Sequence, residues 1–132
     1  MKTLYLTDIK DLIKTAFSNA NVYVGAIDTQ YDKSIGVFGR TRFSEILAIG
    51  GMDKSSYNIL STSILIRWTE STEACEVMAN SIYNYFMLLR DVAINNKTII
   101  HSFCEGSGPV DLSRGERNIC EMVVHANFYY ER

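Results

Sequence analysis

The stretch Ile119-Cys120-Glu121-Met122-Val123-Val124-His125-Ala126-Asn127-Phe128-Tyr129-Tyr130 decides the fold. Its even positions, Cys120, Met122, Val124, Ala126, Phe128 and Tyr130, are all apolar or aromatic. Its odd positions, Ile119, Glu121, Val123, His125, Asn127 and Tyr129, are mixed. A period of two with one apolar side predicts a long strand with one face on a core. The residues before it, Gly106 to Arg117, read as a loop. They hold Gly106, Gly108, the only proline (Pro109) and a charged turn, Arg114-Gly115-Glu116-Arg117. A chain that closes on a core strand is expected to have no loose tail, and its last loop is a place where a partner can dock.

Moving outward, Tyr57 to Trp68 is a second long strand. Asn58, Leu60, Thr62, Ile64, Ile66 and Trp68 share one face, and the density of β-branched residues favours strand over helix. Thr69 or Ser71 then caps a long helix, with Glu70, Glu73 and Glu76 near its positive end. Its buried stripe is expected at Cys75, Met78, Ile82, Tyr85, Phe86 and Leu89, and Arg90 suits its C-terminus. Asn95-Asn96 turns the chain into a strand from Lys97 to Phe103. At the other end, Ile9, Leu12, Ile13, Ala16 and Phe17 recur at helical spacing behind a cap at Thr7. Strands follow at Val22 to Ile27 and Ser44 to Ile49, with a turn at Gly50-Gly51. Asp28 to Phe43, between those strands, reads as a loop. The order is α-β-β-β-α-β-β. It predicts an α+β fold: a mostly antiparallel sheet of four to five strands with two helices packed on one face.

The 132 residues suit a single domain, 1–132, able to bury one core. At 47% hydrophobic and 21% charged, the chain is not of the disordered class. A net charge of −2 provides no basic stripe for nucleic acid and no Lys/Arg cluster for anionic lipid. No apolar run approaches the ~18 residues of a membrane span. The three cysteines, Cys75, Cys104 and Cys120, are odd in number and widely spaced. They predict a reducing compartment rather than a disulfide framework. With no signal-like N-terminus, the expectation is a soluble, intracellular protein at synthesis.

Catalytic and metal motifs fare poorly. His101-x-x-Cys104 and Cys120-x-x-x-x-His125 look like zinc ligands, but each pair is separated by an odd number of positions. On regular strands the members of each pair face opposite ways, so the four cannot close one tetrahedron. Gly106-Ser107-Gly108 lacks the strand–turn–helix context of a phosphate loop or nucleophile elbow. Glu70, Glu73 and Glu76 fit a solvated, dipole-matched helix face, and Tyr83, Tyr85 and Phe86 fit core packing. Cys75 stands near a helix N-terminus, where a thiolate is favoured, but on the apolar side. No nucleophile–base pair is evident. The expectation is a non-enzyme without cofactor or metal. A small ligand-binding domain or enzyme, which needs a pocket with converging polar groups, is the alternative class.

Two loops exceed what folding requires. The early one, Asp28 to Phe43, carries Tyr31, Phe38, Arg40 and Arg42. The late one carries Pro109, Val110, Asp111, Leu112 and Arg114. Apolar side chains on a stiffened surface loop suit contact with protein, so these nine residues are interface candidates.

The late loop and final strand also resemble a known group. Gly108-Pro109-Val110-Asp111, Arg114-Gly115-Glu116-Arg117 and the closing Phe128-Tyr129-Tyr130-Glu131-Arg132 resemble the minor capsid or tail-terminator proteins of tailed phages. Upstream, Ile64-Leu65-Ile66-Arg67-Trp68-Thr69 running into a helix with Ala79-Asn80-Ser81-Ile82-Tyr83 agrees in outline. The resemblance covers most of the chain and is specific in the last third. It implies a protein similar to the lambda-type tail terminator: a homo-oligomer, commonly a hexameric ring. Such a ring caps the tail tube and joins it to neck and head-completion proteins. DNA passes through the lumen without sequence recognition, and no membrane is involved. The implied location is the virion tail or neck, with the host cytoplasm during assembly. Another neck, head-completion or tail-tube component is the alternative within the virion.

Overall fold

The computed structural model describes residues 3–27, 33–40, 57–106, 108–114 and 118–131. The elements are α1 (Leu6–Ala16), β1 (Asn21–Val24), β2 (Ser34–Gly39), β3 (Tyr57–Arg67), α2 (Thr72–Met87), β4 (Arg90–Ile94), β5 (Lys97–Cys104), β6 (Val110–Arg114) and β7 (Cys120–Glu131). The strands join in one sheet of order β1-β2-β3-β7-β5-β4, with β6 paired to β7.

The α+β class holds, and the finer expectation is corrected. The sheet has seven strands rather than four to five. It is mixed, because β1 runs parallel to β2 while the other pairings are antiparallel. Three strands escaped the sequence reading. Of these, β2 lies within the segment read as a loop, and its Gly36 and Gly39 hide the alternation of Ile35 and Val37. Gly36 is required there, since an added Cβ would lie 2.8 Å from Phe38 Cε2 and 2.9 Å from Ile27 Cγ1. Another, β4, begins beside Asp91 at φ 50° and has an exposed edge. The third, β6, lies in the late loop and is exposed along its length. The strand expected at Ser44 to Ile49 and the turn at Gly50-Gly51 lie outside the described residues.

The β3–β7 ladder is the spine, running from Tyr57 opposite Glu131 to Arg67 opposite Glu121. It sets Ile64 beside Val124 and Ile66 beside Met122, and β2 adds Ile35 and Val37 to the same face. Every even residue of β7 from Cys120 to Tyr130 is buried, as the alternation predicts. Both helices contribute to the one core on this face: Ile9, Leu12 and Ile13 from α1, and Cys75, Met78, Ala79, Ile82 and Phe86 from α2. Phe86 meets Phe128 edge-on, with centroids 5.0 Å apart, and Phe17 meets Tyr85 at 5.6 Å.

The helix starts differ in chemistry. Ser71 caps α2, its Oγ accepting from Ala74 N at 3.2 Å. The expected cap at Thr7 is corrected: α1 starts at Leu6 after Tyr5, and the Asp8 carboxylate accepts from Tyr5 N at 2.8 Å. Asp8 is 3% exposed and also accepts from Lys97 Nζ at 2.6 Å and Asn95 Nδ2 at 2.8 Å. Asn95 and Asn96 form the two-residue β4–β5 turn with φ of 50° and 64°, the primed-turn geometry that asparagine tolerates. This turn and the start of α1 therefore share one buried carboxylate. Burial pushes that carboxyl up, but the bonds from Lys97, Asn95 and Tyr5 outweigh it, leaving its pKa below 3.8.

Candidate functional site

The two interface regions named from sequence occupy different parts of the sheet, and one side chain links them. Arg40 follows β2. Its guanidinium extends over β3 and β7, with Nε donating to Thr62 O at 3.4 Å and Nη2 donating to Asn127 Oδ1 at 3.2 Å. The same Nη2 pairs with Glu105, which follows β5 and also accepts from Asn127 Nδ2 at 3.1 Å. Arg40 and Asn127 hold the Glu105 carboxyl below its ordinary pKa. Glu105 stands at the mouth of the late loop, so the early segment is tied to the entry of the late one. Asn127 is an odd residue of β7, which places this cluster on the sheet face away from the helices.

The same face carries Ser63 and His125, direct partners in the β3–β7 register, with Oγ 2.9 Å from Nδ1. His101 stacks on Tyr129 at 4.4 Å and 13°, and Tyr57 lies 5.9 Å from Tyr129. The hydroxyl–imidazole contact is one that the sequence reading missed, since only strand register brings residues 63 and 125 together. An activated serine also needs a group that orients the base. Among the described residues no hydrogen bond holds the other ring nitrogen of His125. The buried Ser61 hydroxyl, opposite Asn127, has no hydrogen-bond partner among the described residues.

The late segment is an edge strand rather than a loop. Among the described residues β6 pairs with β7 alone, and its register slips between Asp111 and Arg114. The slip is a bulge with Ser113 at φ 71°, where Asp111 Oδ1 accepts from Ser113 N at 2.7 Å. Arg114 fastens the strand on both sides: Nη1 donates to Asn118 O at 2.7 Å and Nη2 to Thr72 Oγ1 at 3.1 Å, at the start of α2. Held in this way, Val110 and Leu112 remain 48% and 47% exposed. A cavity of about 170 Å³ lies between β6 and the first turn of α2, walled by Asp111, Arg114, Thr72, Cys75, Glu76 and Cys120. Burial, reinforced by the neighbouring Cys120, pushes the Cys75 thiol up to about 11, so Cys75 faces the cavity as a thiol near neutral pH.

The other candidates divide clearly. Pro109 is half-buried beside β6. Phe38 is half-buried on β2, its ring against Gly36. Tyr31 and Arg42 lie outside the described residues. The zinc-like residues do not converge. Cys104 and Cys120 are buried in the helix-side core, while His125 bonds to Ser63 on the opposite face. Among the described residues no three His, Cys, Asp or Glu gather as a metal site. Nor is any described helix long and apolar enough to cross a membrane. Glu105, Asn127 and Thr72 are the site residues that sequence did not single out. Each acts through a partner distant in the chain, which no local pattern encodes.

Comparison with known proteins finds no family model and no curated protein that matches the chain.

Proposed function

We propose that this protein is a structural component of a tailed-phage virion: a tail terminator that forms a ring, commonly of six copies, on the end of the tail tube. The ring stops tube growth and presents the surface to which neck and head-completion proteins attach. DNA crosses its lumen without being read, and the protein is neither an enzyme nor a cofactor carrier.

The observation that supports this reading is the β6 edge. Two apolar side chains are held half-exposed on a strand that is fastened to the body by Arg114 and has no second strand neighbour among the described residues. An ordered apolar edge of this kind is an aggregation hazard unless something covers it. A closed ring of identical copies would cover it on every subunit. The sequence resemblance of Gly108 to Arg117 and of the closing strand falls on the same region.

Size exclusion with light scattering, negative-stain imaging over a concentration series and addition to purified tail tubes test the proposal. The expected result is ring-sized particles and capped tubes. A strict monomer that leaves tubes uncapped overturns it. In a phage lacking the protein, overlong tails are expected. Tails of normal length with unjoined heads would place the chain elsewhere in the neck.

A further inference from the structure

We infer that the cavity between β6 and α2 is a sulfur-donor site for a monovalent soft metal ion of the copper(I) class, held by the Cys75 and Cys120 thiolates and the Met122 thioether. The inference stands apart from the virion reading. The ion would act as a fastener between α2 and β7, beneath the β6 edge, rather than as a reactive cofactor.

Strand period and helix position bring the three residues together. Cys120 and Met122 are alternate residues of β7, and both are buried on the helix side. Cys75 comes down from the start of α2, with its Sγ 3.5 Å from Cys120 O. All three line the cavity of about 170 Å³. A water molecule takes about 30 Å³ in the liquid, so there is room for an ion. The three rotatable bonds of Met122 let its sulfur adjust to the third position.

The polar surroundings suit bound thiolates. Arg114 Nη2 donates to Thr72 Oγ1 at 3.1 Å, which leaves the Thr72 hydroxyl proton free for Cys120 Sγ at 3.5 Å. Partners of this kind orient metal-bound sulfur. When a monovalent ion takes both thiolates, two thiol protons leave to solvent and the complex keeps one negative charge. The Arg114 guanidinium lines the same cavity and offsets that charge.

The donor set also selects among metals. Burial holds Cys75 protonated near neutral pH, so the ion must bind thiolate strongly enough to displace that proton. Asp111 and Glu76 line the cavity too. Among the described residues, however, no three His, Cys, Asp or Glu gather to share an ion. That leaves two thiols and a thioether, the donors that favour copper(I) over oxygen-seeking cations.

The test uses the full chain, reduced and kept free of oxygen. It is titrated with silver(I) as a redox-inert probe and with copper(I) against a chromophoric chelator. One ion per chain is expected in native mass spectrometry, and X-ray absorption of the copper complex should show a shell of sulfur alone. Cys75→Ala and Cys120→Ala should each weaken binding about 100-fold or more, since even the outer partners of a metal are worth about 10–100-fold. Met122→Leu should weaken it less. Cys104→Ala is the control. Cys104 Sγ lies 3.9 Å from Tyr83 O, about 12 Å farther along α2, and its loss should leave binding unchanged. Circular dichroism confirms that each variant is folded, and the wild-type absorption spectrum carries the test if a cysteine variant is not. No binding, three ions per chain, an equal loss in Cys104→Ala, or oxygen or nitrogen in the copper shell overturns the site. Zinc bound as tightly as copper overturns the selection of a soft ion.

Discussion

The two strands of the last hairpin share one hydrogen-bond ladder and are made of opposite material. In β7 every even residue is buried, and Phe128 is wholly enclosed against Phe86. In β6 every residue is exposed, and the strand is held by its backbone ladder, by the Asp111–Ser113 turn and by the two bonds of Arg114. The ladder alone is therefore not what stabilises the sheet, because hydrogen bonds exchanged with water contribute modestly. Side-chain burial makes β7 a folding element. Its absence from β6, together with the polar fastening, makes β6 a presented surface.

The largest expected effect breaks the buried member of the pair. Phe128→Ala should cost about 3–5 kcal/mol in denaturant unfolding, since it removes a fully enclosed ring and leaves a cavity. A variant of near wild-type stability would show that β7 is not anchored by its even face.

A smaller effect comes from a site that is both buried and polar. Asp8→Asn should cost about 2 kcal/mol, because Lys97 loses its charged acceptor while the Tyr5 cap can remain. The folded pKa of Asp8 is depressed below 3.8, so its contribution is complete above the unfolded value. It is lost as pH falls through the folded value. The gap between wild type and Asp8→Asn should therefore be flat from neutral pH down to about pH 5 and close below about pH 4. A gap that stays constant down to about pH 2 would show that the carboxylate is not stabilised by folding.

Arg114→Ala should cost about 1 kcal/mol or less, as expected for exposed polar bonds. Hydrogen exchange should reveal its effect more clearly. Protection should fall along residues 110–114 and remain along β7. Equal loss in both strands would mean that the hairpin opens as one unit and that the contrast between them is only one of exposure.

The sequence revealed much of the fold where side-chain period is strong. The alternation of β7 and β3, the stripe of α2 and the face of α1 all appear where periodicity places them. Failures occur where a strand is built without that signal. Gly36 interrupts β2 because Ile27 and Phe38 need the space, β4 has a left-handed aspartate as its second residue, and β6 has no buried face to alternate. The site is less legible for a related reason. Val110, Leu112 and Arg114 were visible as apolar and charged residues beside a proline. The linkage from Arg40 to Glu105 and Asn127 depends on strand order, with β3 and β7 lying between its ends. Sheet order is a property of long-range pairing and leaves no mark in local spacing.

The smallest effect on stability is also the sharpest test of the comparison. Val110 and Leu112 are about half-exposed in the subunit, so replacing both with aspartate removes little buried area. The free-energy change should stay within about 0.5 kcal/mol, the range of ordinary surface substitutions. Assembly should nevertheless be lost, because the same side chains would be buried between copies, where an unpaired carboxylate is costly. Two readouts on one variant then diverge: unfolding barely moves and association disappears. If both fall together, Val110 and Leu112 serve the fold, and β6 differs from β7 in degree rather than in role. If neither moves, the exposed apolar pair is an ordinary stretch of surface, and the polar fastening that holds it serves only to close the hairpin.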